Sequence, residues 1–139
     1  MIVLDTNVVS EMMRESPDVN VALWYILHRD TPLYLTSIVV AELFQGIERL
    51  NGGRRRTEML AELRDMLATD FAGRILPFDA EDAEVFGRIR AERAYEGRTI
   101  ARMDGLIAAV ILRRGGTLAT RNVYDFEPCG VPVVNPWEP

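Results

Sequence analysis

Four carboxylates dominate the chemistry open to this 139-residue sequence. Asp5 directly follows the aliphatic run Ile2-Val3-Leu4, and Asp125 comes shortly after Leu118-Ala119-Thr120-Arg121-Asn122. Asp104 has Ile107, Ala108 and Ile111 at i+3, i+4 and i+7, so on a helix it heads an apolar stripe. Glu42 separates Ile38-Val39-Val40-Ala41 from Leu43-Phe44. A buried, unpartnered carboxylate is costly, so each placement calls for a cation, a helix N-terminus or a hydrogen-bond donor. Taken singly, each acid has a plain explanation: Asp5 as an acceptor for turn amides, Asp104 as a cap, Glu42 as an arginine partner, Asp125 as a turn residue. Taken together, four acids with no histidine or cysteine nearby suit the hard-oxygen coordination of Mg²⁺ or Mn²⁺. Two unit charges ~4 Å apart repel by about 4 kcal/mol at an effective dielectric near 20, and a divalent ion removes that cost. The same ion can position a phosphate and acidify water without any histidine.

The elements that must position these acids follow from periodicity. Ile2 to Leu4 reads as a buried strand ending in the polar Asp5-Thr6-Asn7, and Ser16-Pro17-Asp18 breaks the chain before a helix over Val19 to Arg29. Leu33 to Thr36 is a second strand. Ser37 is the expected N-cap of a helix reaching about Leu50, with Val40, Leu43, Phe44 and Ile47 at helical spacing, and Asn51-Gly52-Gly53 stops it. A further helix spans Arg54 to about Asp70, Ile75 to Phe78 is a short strand, and Asp79 caps a helix to about Tyr95 that Gly97 ends. Met103 to Arg114 is helical and closed by Gly115-Gly116, and Thr117 to Thr120 and Val131 to Val134 are the last strands. Strands alternating with helices, without repeats or linkers, predict one α/β domain over residues 1–139: a three-layer sandwich around a mainly parallel central sheet. In such sheets the usable crevice lies beyond the carboxyl ends of the strands, where Asp5 and the Thr120 to Asp125 segment fall.

Composition removes competing chemistries. The one histidine, His28, lies in the Val19 to Arg29 helix and is expected to be exposed, so paired-histidine acid/base work has no candidate. All 16 basic residues are arginine, which excludes Schiff-base and Walker A mechanisms. A single cysteine, Cys129, can form neither an internal disulfide nor a thiolate metal cluster, which suits a reducing cytoplasm. The longest apolar run, Leu106 to Leu112, falls far short of the ~20 residues that cross a bilayer. A net charge of −5 argues against a phosphate-rich partner, unless the acids are gathered in one pocket and neutralised there by cations.

Ile2-Val3-Leu4-Asp5-Thr6-Asn7, Ala41-Glu42-Leu43, Asp104-Gly105-Leu106-Ile107-Ala108-Ala109 and Ala119-Thr120-Arg121-Asn122 with Asp125-Phe126 resemble the PIN-domain ribonucleases across nearly the whole chain. Phe71 to Asp79 and the closing Pro132 to Trp137 resemble, more narrowly, the VapC-type toxins of bacterial toxin–antitoxin pairs, in their FitB-like branch. The resemblance implies a metal-dependent endoribonuclease with Asp5, Glu42, Asp104 and Asp125 as metal-binding catalytic residues and Mg²⁺ or Mn²⁺ as cofactor. It implies polar supporting roles for Thr6, Asn7, Thr120 and Asn122. It also implies a homodimer silenced by a cognate antitoxin, with RNA as substrate. Arg102 and Arg121, near Asp104 and Asp125, offer planar forks to RNA phosphates. Arg54-Arg55-Arg56 reads equally as a solvated helix start or an RNA-contacting edge. Gly105 departs from the alanine more common after the third acid, and Ala101 from the usual serine or proline.

Three other readings compete. A haloacid-dehalogenase-type phosphohydrolase needs a second acid two residues after the first, where this chain has Asn7. A receiver-like phosphoacceptor domain wants a lysine, and there is none. A non-catalytic interaction domain would use the Ser37 to Leu50 helix, whose Ile38, Val39, Val40, Leu43, Phe44, Ile47 and Leu50 wrap more than one face.

Overall fold

The computed structural model describes residues 1–139. Five strands, β1 (Ile2–Leu4), β2 (Leu33–Thr36), β3 (Ile75–Leu76), β4 (Thr117–Ala119) and β5 (Val133–Val134), lie in the order β3-β2-β1-β4-β5 with every neighbouring pair parallel. Val3 is registered against Tyr34 on one side and Leu118 on the other. Helices α1 (Thr6–Met12), α2 (Val19–Leu27), α3 (Ser37–Glu48), α4 (Arg54–Thr69), α5 (Ala80–Tyr95), α6 (Arg102–Arg114) and α7 (Val123–Phe126) connect and cover the strands, and a 3-10 turn at Glu127–Cys129 follows α7. The central strands read as continuous aliphatic runs because both sheet faces are covered. Val3, Leu4, Leu35 and Leu118 form the middle of the core, closed by Val39 of α3, Ile107 and Ile111 of α6 and Phe126 of α7. This is the expected three-layer α/β architecture. No helix is long and apolar enough to cross a membrane.

The chain lays down β1, β2 and β3 outward on one side and then returns to place β4 and β5 on the other. Connections therefore diverge between β1 and β4, which opens a crevice at the carboxyl ends of those two strands. Asp5 and Thr120 are the first residues beyond them.

Several elements differ from expectation for local reasons. Asp5-Thr6-Asn7 does not merely end a strand: Asp5 is the N-cap of α1, a helix too short for its 3.6-residue period to declare itself. The N-cap of α3 is Thr36 rather than Ser37. The Thr36 hydroxyl accepts the Val39 amide at 3.1 Å, while the Ser37 hydroxyl accepts the Phe78 amide at 3.2 Å and fastens α3 to the exit of β3. β3 stops at Leu76 and β5 begins at Val133, because Pro77 and Pro132 have no amide to give the ladder. His28 is not an exposed helix residue. It sits just past the end of α2, half-buried, with Nδ1 2.7 Å from the Trp24 carbonyl oxygen and its ring stacked 4.2 Å from that of Trp24. Gly105 is set by packing: a β-carbon there would lie 3.1 Å from Phe86 Cε2 and 3.3 Å from Arg90 Cδ, so glycine lets α5 and α6 approach closely.

The far end of α6 is fixed by an ion-pair network. Asp79 and Asp82 form a capping box at the start of α5. Arg113 donates from Nε to Asp82 Oδ1 at 2.6 Å, from Nη1 to Glu81 at 2.9 Å and from Nη2 to Asp79 at 2.7 Å, and Arg114 donates to Asp82 Oδ1 at 2.9 Å. Burial pushes the Asp82 carboxyl up, but the hydrogen bonds from Arg113, the Asp79 amide and Arg114 outweigh it and hold the group below its ordinary value. Removing the buried Asp82 takes an acceptor from both arginines and the return bond of the capping box to the Asp79 amide. Asp82→Ala is therefore expected to cost about 3 kcal/mol in urea unfolding at pH 7. Because the folded-state value is depressed, the wild-type advantage is present above the ordinary carboxyl value near 3.8 and is lost as pH falls below it. Leu23→Ala, on the exposed face of α2, should stay within about 0.5 kcal/mol of wild type in the same measurement.

Candidate active site

Asp5 is 4% exposed, and its carboxylate is gripped from three directions. Oδ1 accepts the Thr6 amide at 2.8 Å, and Oδ2 accepts the Thr120 hydroxyl at 2.7 Å and Asn7 Nδ2 at 3.3 Å. Thr120 Oγ1 in turn accepts the Asn122 amide at 3.0 Å and Asn7 Nδ2 at 3.3 Å, so its one proton is committed to Asp5. The Asn7 side-chain oxygen accepts the Arg121 amide at 3.3 Å. These bonds join the exit of β1 to the exit of β4 across the crevice. Three of the expected supporting residues act through their side chains. Asn122 contributes its backbone amide, and its side chain is exposed.

Glu42 lies within α3, and its Oε1 accepts the Thr6 hydroxyl at 2.7 Å. Thr6 thus links the first two acids, serving Asp5 through its amide and Glu42 through its hydroxyl. No arginine forms an ion pair with Glu42; this threonine stands in place of the arginine partner that its plain explanation required.

Asp104 stands in the first turn of α6, but it does not cap that helix. The N-cap is Ala101, with no side-chain cap bond, and the Asp104 carboxylate makes neither a hydrogen bond nor an ion pair. Below it, Ile107, Ala108 and Ile111 are fully buried, as the stripe predicts. Burial, and then the negative charges of Asp5, Glu42 and Asp125, push its carboxyl up to about 6. Burial also raises Asp5, against the opposing bonds from Thr120, Thr6 and Asn7 and with a further push from Glu42. Asp125 occupies an exposed position in α7, where its amide bonds the Asn122 carbonyl at 3.1 Å.

The four acids therefore share one electrostatic environment, and none of the chain's ion pairs involves any of them. Their carboxylates do not close into a ready-made cage of three or more ligands. Two are tethered by threonine hydroxyls and the set repels itself, which is the expected behaviour of bare like charges. Cys129 lies near enough to feel Asp104, but burial above all raises its thiol, so it offers little thiolate at neutral pH.

Around this centre, Arg102 is exposed at the start of α6, and Arg121 is exposed with its guanidinium 5.1 Å from the Trp137 ring centroid. Sequence reasoning did not find Arg98 and Tyr124, which stack on each other beside Asp125. Their pairing joins the turn between α5 and α6 to α7, which no local periodicity connects. On the other side, Thr6 and Glu42 help line a groove of about 310 Å³ together with Met13, Leu43, Ile47, Leu50 and Met59 and with Arg14 and Arg55. The extra apolar face expected on α3 opens partly into this groove.

Comparison with known proteins agrees with this architecture. A VapC ribonuclease of Sinorhizobium fredii is 40% identical over 139 residues, covering 100% of this chain and 99% of its own. Toxin FitB of Neisseria gonorrhoeae is 39% identical over 137 residues, with 99% of each chain covered. The crystal structure of FitAcB from Neisseria gonorrhoeae superposes with a TM-score of 0.93 at 39% identity over 100% of both chains. The PIN domain pattern matches residues 2–126, a span that runs from β1 to the end of α7 and contains all four acids. With fold, strand order and full-length similarity in agreement, the chain belongs to the PIN-domain family.

Proposed function

We propose that this protein is an endoribonuclease that hydrolyses RNA phosphodiester bonds with the help of Mg²⁺ or Mn²⁺, and that it is the toxin of a toxin–antitoxin pair. One observation carries the reading: Asp5, Glu42 and Asp125 gather around Asp104, whose carboxylate has no hydrogen-bond or ion-pair partner of its own and is pushed up by burial and by their charges, and none of the four forms an ion pair with an arginine. An all-oxygen donor set with uncompensated negative charge fits a hard divalent cation. Asp5, Glu42 and Asp104 would hold it, and Asp125 would bind a second ion or orient water. Held by these residues, such a cation would supply charge neutralisation for the incoming phosphodiester and a more acidic water for attack.

The chain's own groups set up that chemistry. Thr120, Asn7 and the Thr6 amide fix the orientation of the Asp5 carboxylate, and the Thr6 hydroxyl fixes that of Glu42. Arg102 and Arg121 offer guanidinium forks to phosphates at the rim. The groove beside Glu42 is suited to an antitoxin segment, since methionine and leucine side chains adapt to an inserted chain and Glu42 is among the residues that line it. The relatives support this assignment, because one is named a VapC ribonuclease, another is named a toxin, and the crystal structure is that of FitAcB. We take the active unit to be a homodimer.

Asp5→Asn is expected to lower RNA cleavage with Mn²⁺ present by more than about 100-fold, beyond the 10–100-fold that outer-shell changes around a metal cost. Thr120→Val, which leaves every acid in place, should fall within that 10–100-fold range, with weaker apparent metal affinity in a Mn²⁺ titration. A fully active Asp5→Asn protein would contradict the assignment. Chelation should abolish turnover, and added Mn²⁺ should restore it.

A second expectation concerns stability. The Asp104 carboxyl titrates near 6 in the folded chain against an ordinary value of 3.8, so folding takes up a proton between those values. The chelated protein should therefore gain stability as pH falls from 7.5 to 5.5. Asp82, held below its ordinary value, stays ionised throughout that window and does not oppose the gain. Differential scanning calorimetry should show a higher Tm at pH 5.5 than at pH 7.5 for wild type, and a flatter profile for Asp104→Asn. At pH 7.5, Mn²⁺ should raise the wild-type Tm, because a ligand of the folded state stabilises it.

A further inference from the structure

On the Asp125 side of the crevice, the turn between α5 and α6 faces α7 across a cleft of about 230 Å³, bounded by Arg93, Gly97, Arg98, Tyr124, Asp125 and Pro128. Gly97 adopts φ +74°, a conformation that glycine takes without strain, and buried Ile100 anchors the other end of the turn, so Arg98 is aimed across at α7. Its guanidinium lies 4.0 Å from the Tyr124 ring centroid, and Nη2 donates to the Tyr124 carbonyl at 2.9 Å. Arg98 is in none of the chain's ion pairs, whereas its neighbour Arg93 is committed to Glu96. Tyr124 remains 72% exposed even with the guanidinium against it.

A large aromatic ring left open to water, fixed by a cation whose charge no carboxylate neutralises, and placed one residue from a proposed catalytic acid has the chemistry of a nucleotide platform. Aromatic rings and guanidinium planes stack unpaired bases, and the free guanidinium donors suit a phosphate. Hydrophobic side chains are nearly absent from the lining, which does not suit a hydrophobic helix. The geometry points to Arg98 and Tyr124 as a docking position for one nucleotide of single-stranded RNA flanking the bond to be cut, with the base against the Tyr124 ring and its phosphate on the Arg98 guanidinium. This rests on the reading of the chain as acting on RNA.

The test uses the full chain carrying Asp5→Asn, to suspend cleavage, and a mixed-sequence single-stranded RNA oligonucleotide with 2-aminopurine placed at successive positions. One position should be quenched on binding. Tyr124→Leu should remove that quench and weaken binding about 10-fold, the loss of one base–aromatic stack, while Tyr124→Phe should retain both. Arg98→Ala should weaken binding and reduce the slope of log K against log salt by about 0.7, the signature of one lost phosphate contact on a single strand. A role confined to tying the turn to α7 would lower Tm without moving the quench or the salt slope. Tyr124→Leu that binds and quenches like the parent overturns the platform, as does a parent that binds no RNA. Cleavage, measured separately with Asp5 intact, divides the two ideas: binding through the platform without turnover sinks the nuclease reading alone, and turnover with an inert Tyr124→Leu substitution sinks the platform alone.

Discussion

The hydrogen bond from Thr120 Oγ1 to Asp5 Oδ2, 2.7 Å long and fully buried at its donor, ties together the two strands between which the sheet changes direction. At this point the parallel order leaves a gap, and a gap lined by backbone exits would otherwise admit water freely. One side chain from each strand closes it, and Asn7 bridges both. Asp5 is at once the N-cap of α1, the acceptor of the Thr120 hydroxyl and a member of the acidic set. The residue that begins the first helix is therefore also one of the proposed metal-holding acids, and the position of α1 follows from it. Thr6 extends the arrangement to α3 by donating to Glu42, so that two strands and two helices converge on four consecutive polar contacts.

The fold separates its charges along one helix. α6 carries Asp104 in its first turn and Arg113 and Arg114 in its last, the distribution that favours the helix dipole at both ends. Its thirteen residues span about 20 Å at 1.5 Å per residue, too far for the terminal arginines to neutralise Asp104. They are taken up by Asp79, Glu81 and Asp82, which stabilise the far end, while the near end keeps a carboxylate with no partner of its own. An unpartnered carboxylate among three others is unfavourable to the empty fold and favourable to a cation, the kind of local cost that folds carry at working sites.

Much of this was legible in the sequence. The buried stripe under Asp104, the aliphatic strands and the polar residues at their ends gave the parallel α/β sheet and the four acids, because long-period patterns and strand-end chemistry survive in linear order. What was lost were features made by distant partners or by very short elements. Helix α1 was missed because seven residues hold fewer than two full apolar repeats. Thr36 and Ser37 are both competent caps, and only the Phe78 amide, 41 residues away, decides which one α3 uses. Gly105 stands where alanine is more common because Phe86 and Arg90, distant in sequence, crowd the space of its missing β-carbon. That Glu42 forms no ion pair, although Arg14 and Arg55 line the same groove, is likewise a fact of tertiary placement: Arg14 pairs with Glu11 instead, and the Thr6 hydroxyl serves Glu42.

That placement also resolves the apparent conflict between a net charge of −5 and an RNA substrate. Net charge governs long-range approach, but the field at a cleft is set by the groups that line it and by bound cations. Four of the negative charges are gathered where a divalent ion would offset them. Arg98, Arg102 and Arg121, which belong to no ion pair, stand on the turn before α6, at its first residue and at the exit of β4. With the acids neutralised, the rim that a phosphate chain meets is cationic, although the molecule as a whole is not. The acidic balance then rests on carboxylates elsewhere, several of them already spent on Arg14, Arg54, Arg56 and the Arg113–Arg114 network. Under the proposed metal dependence, metal binding and RNA binding would be coupled through charge: an ion held by the acids would also remove the repulsion that keeps a phosphate chain out.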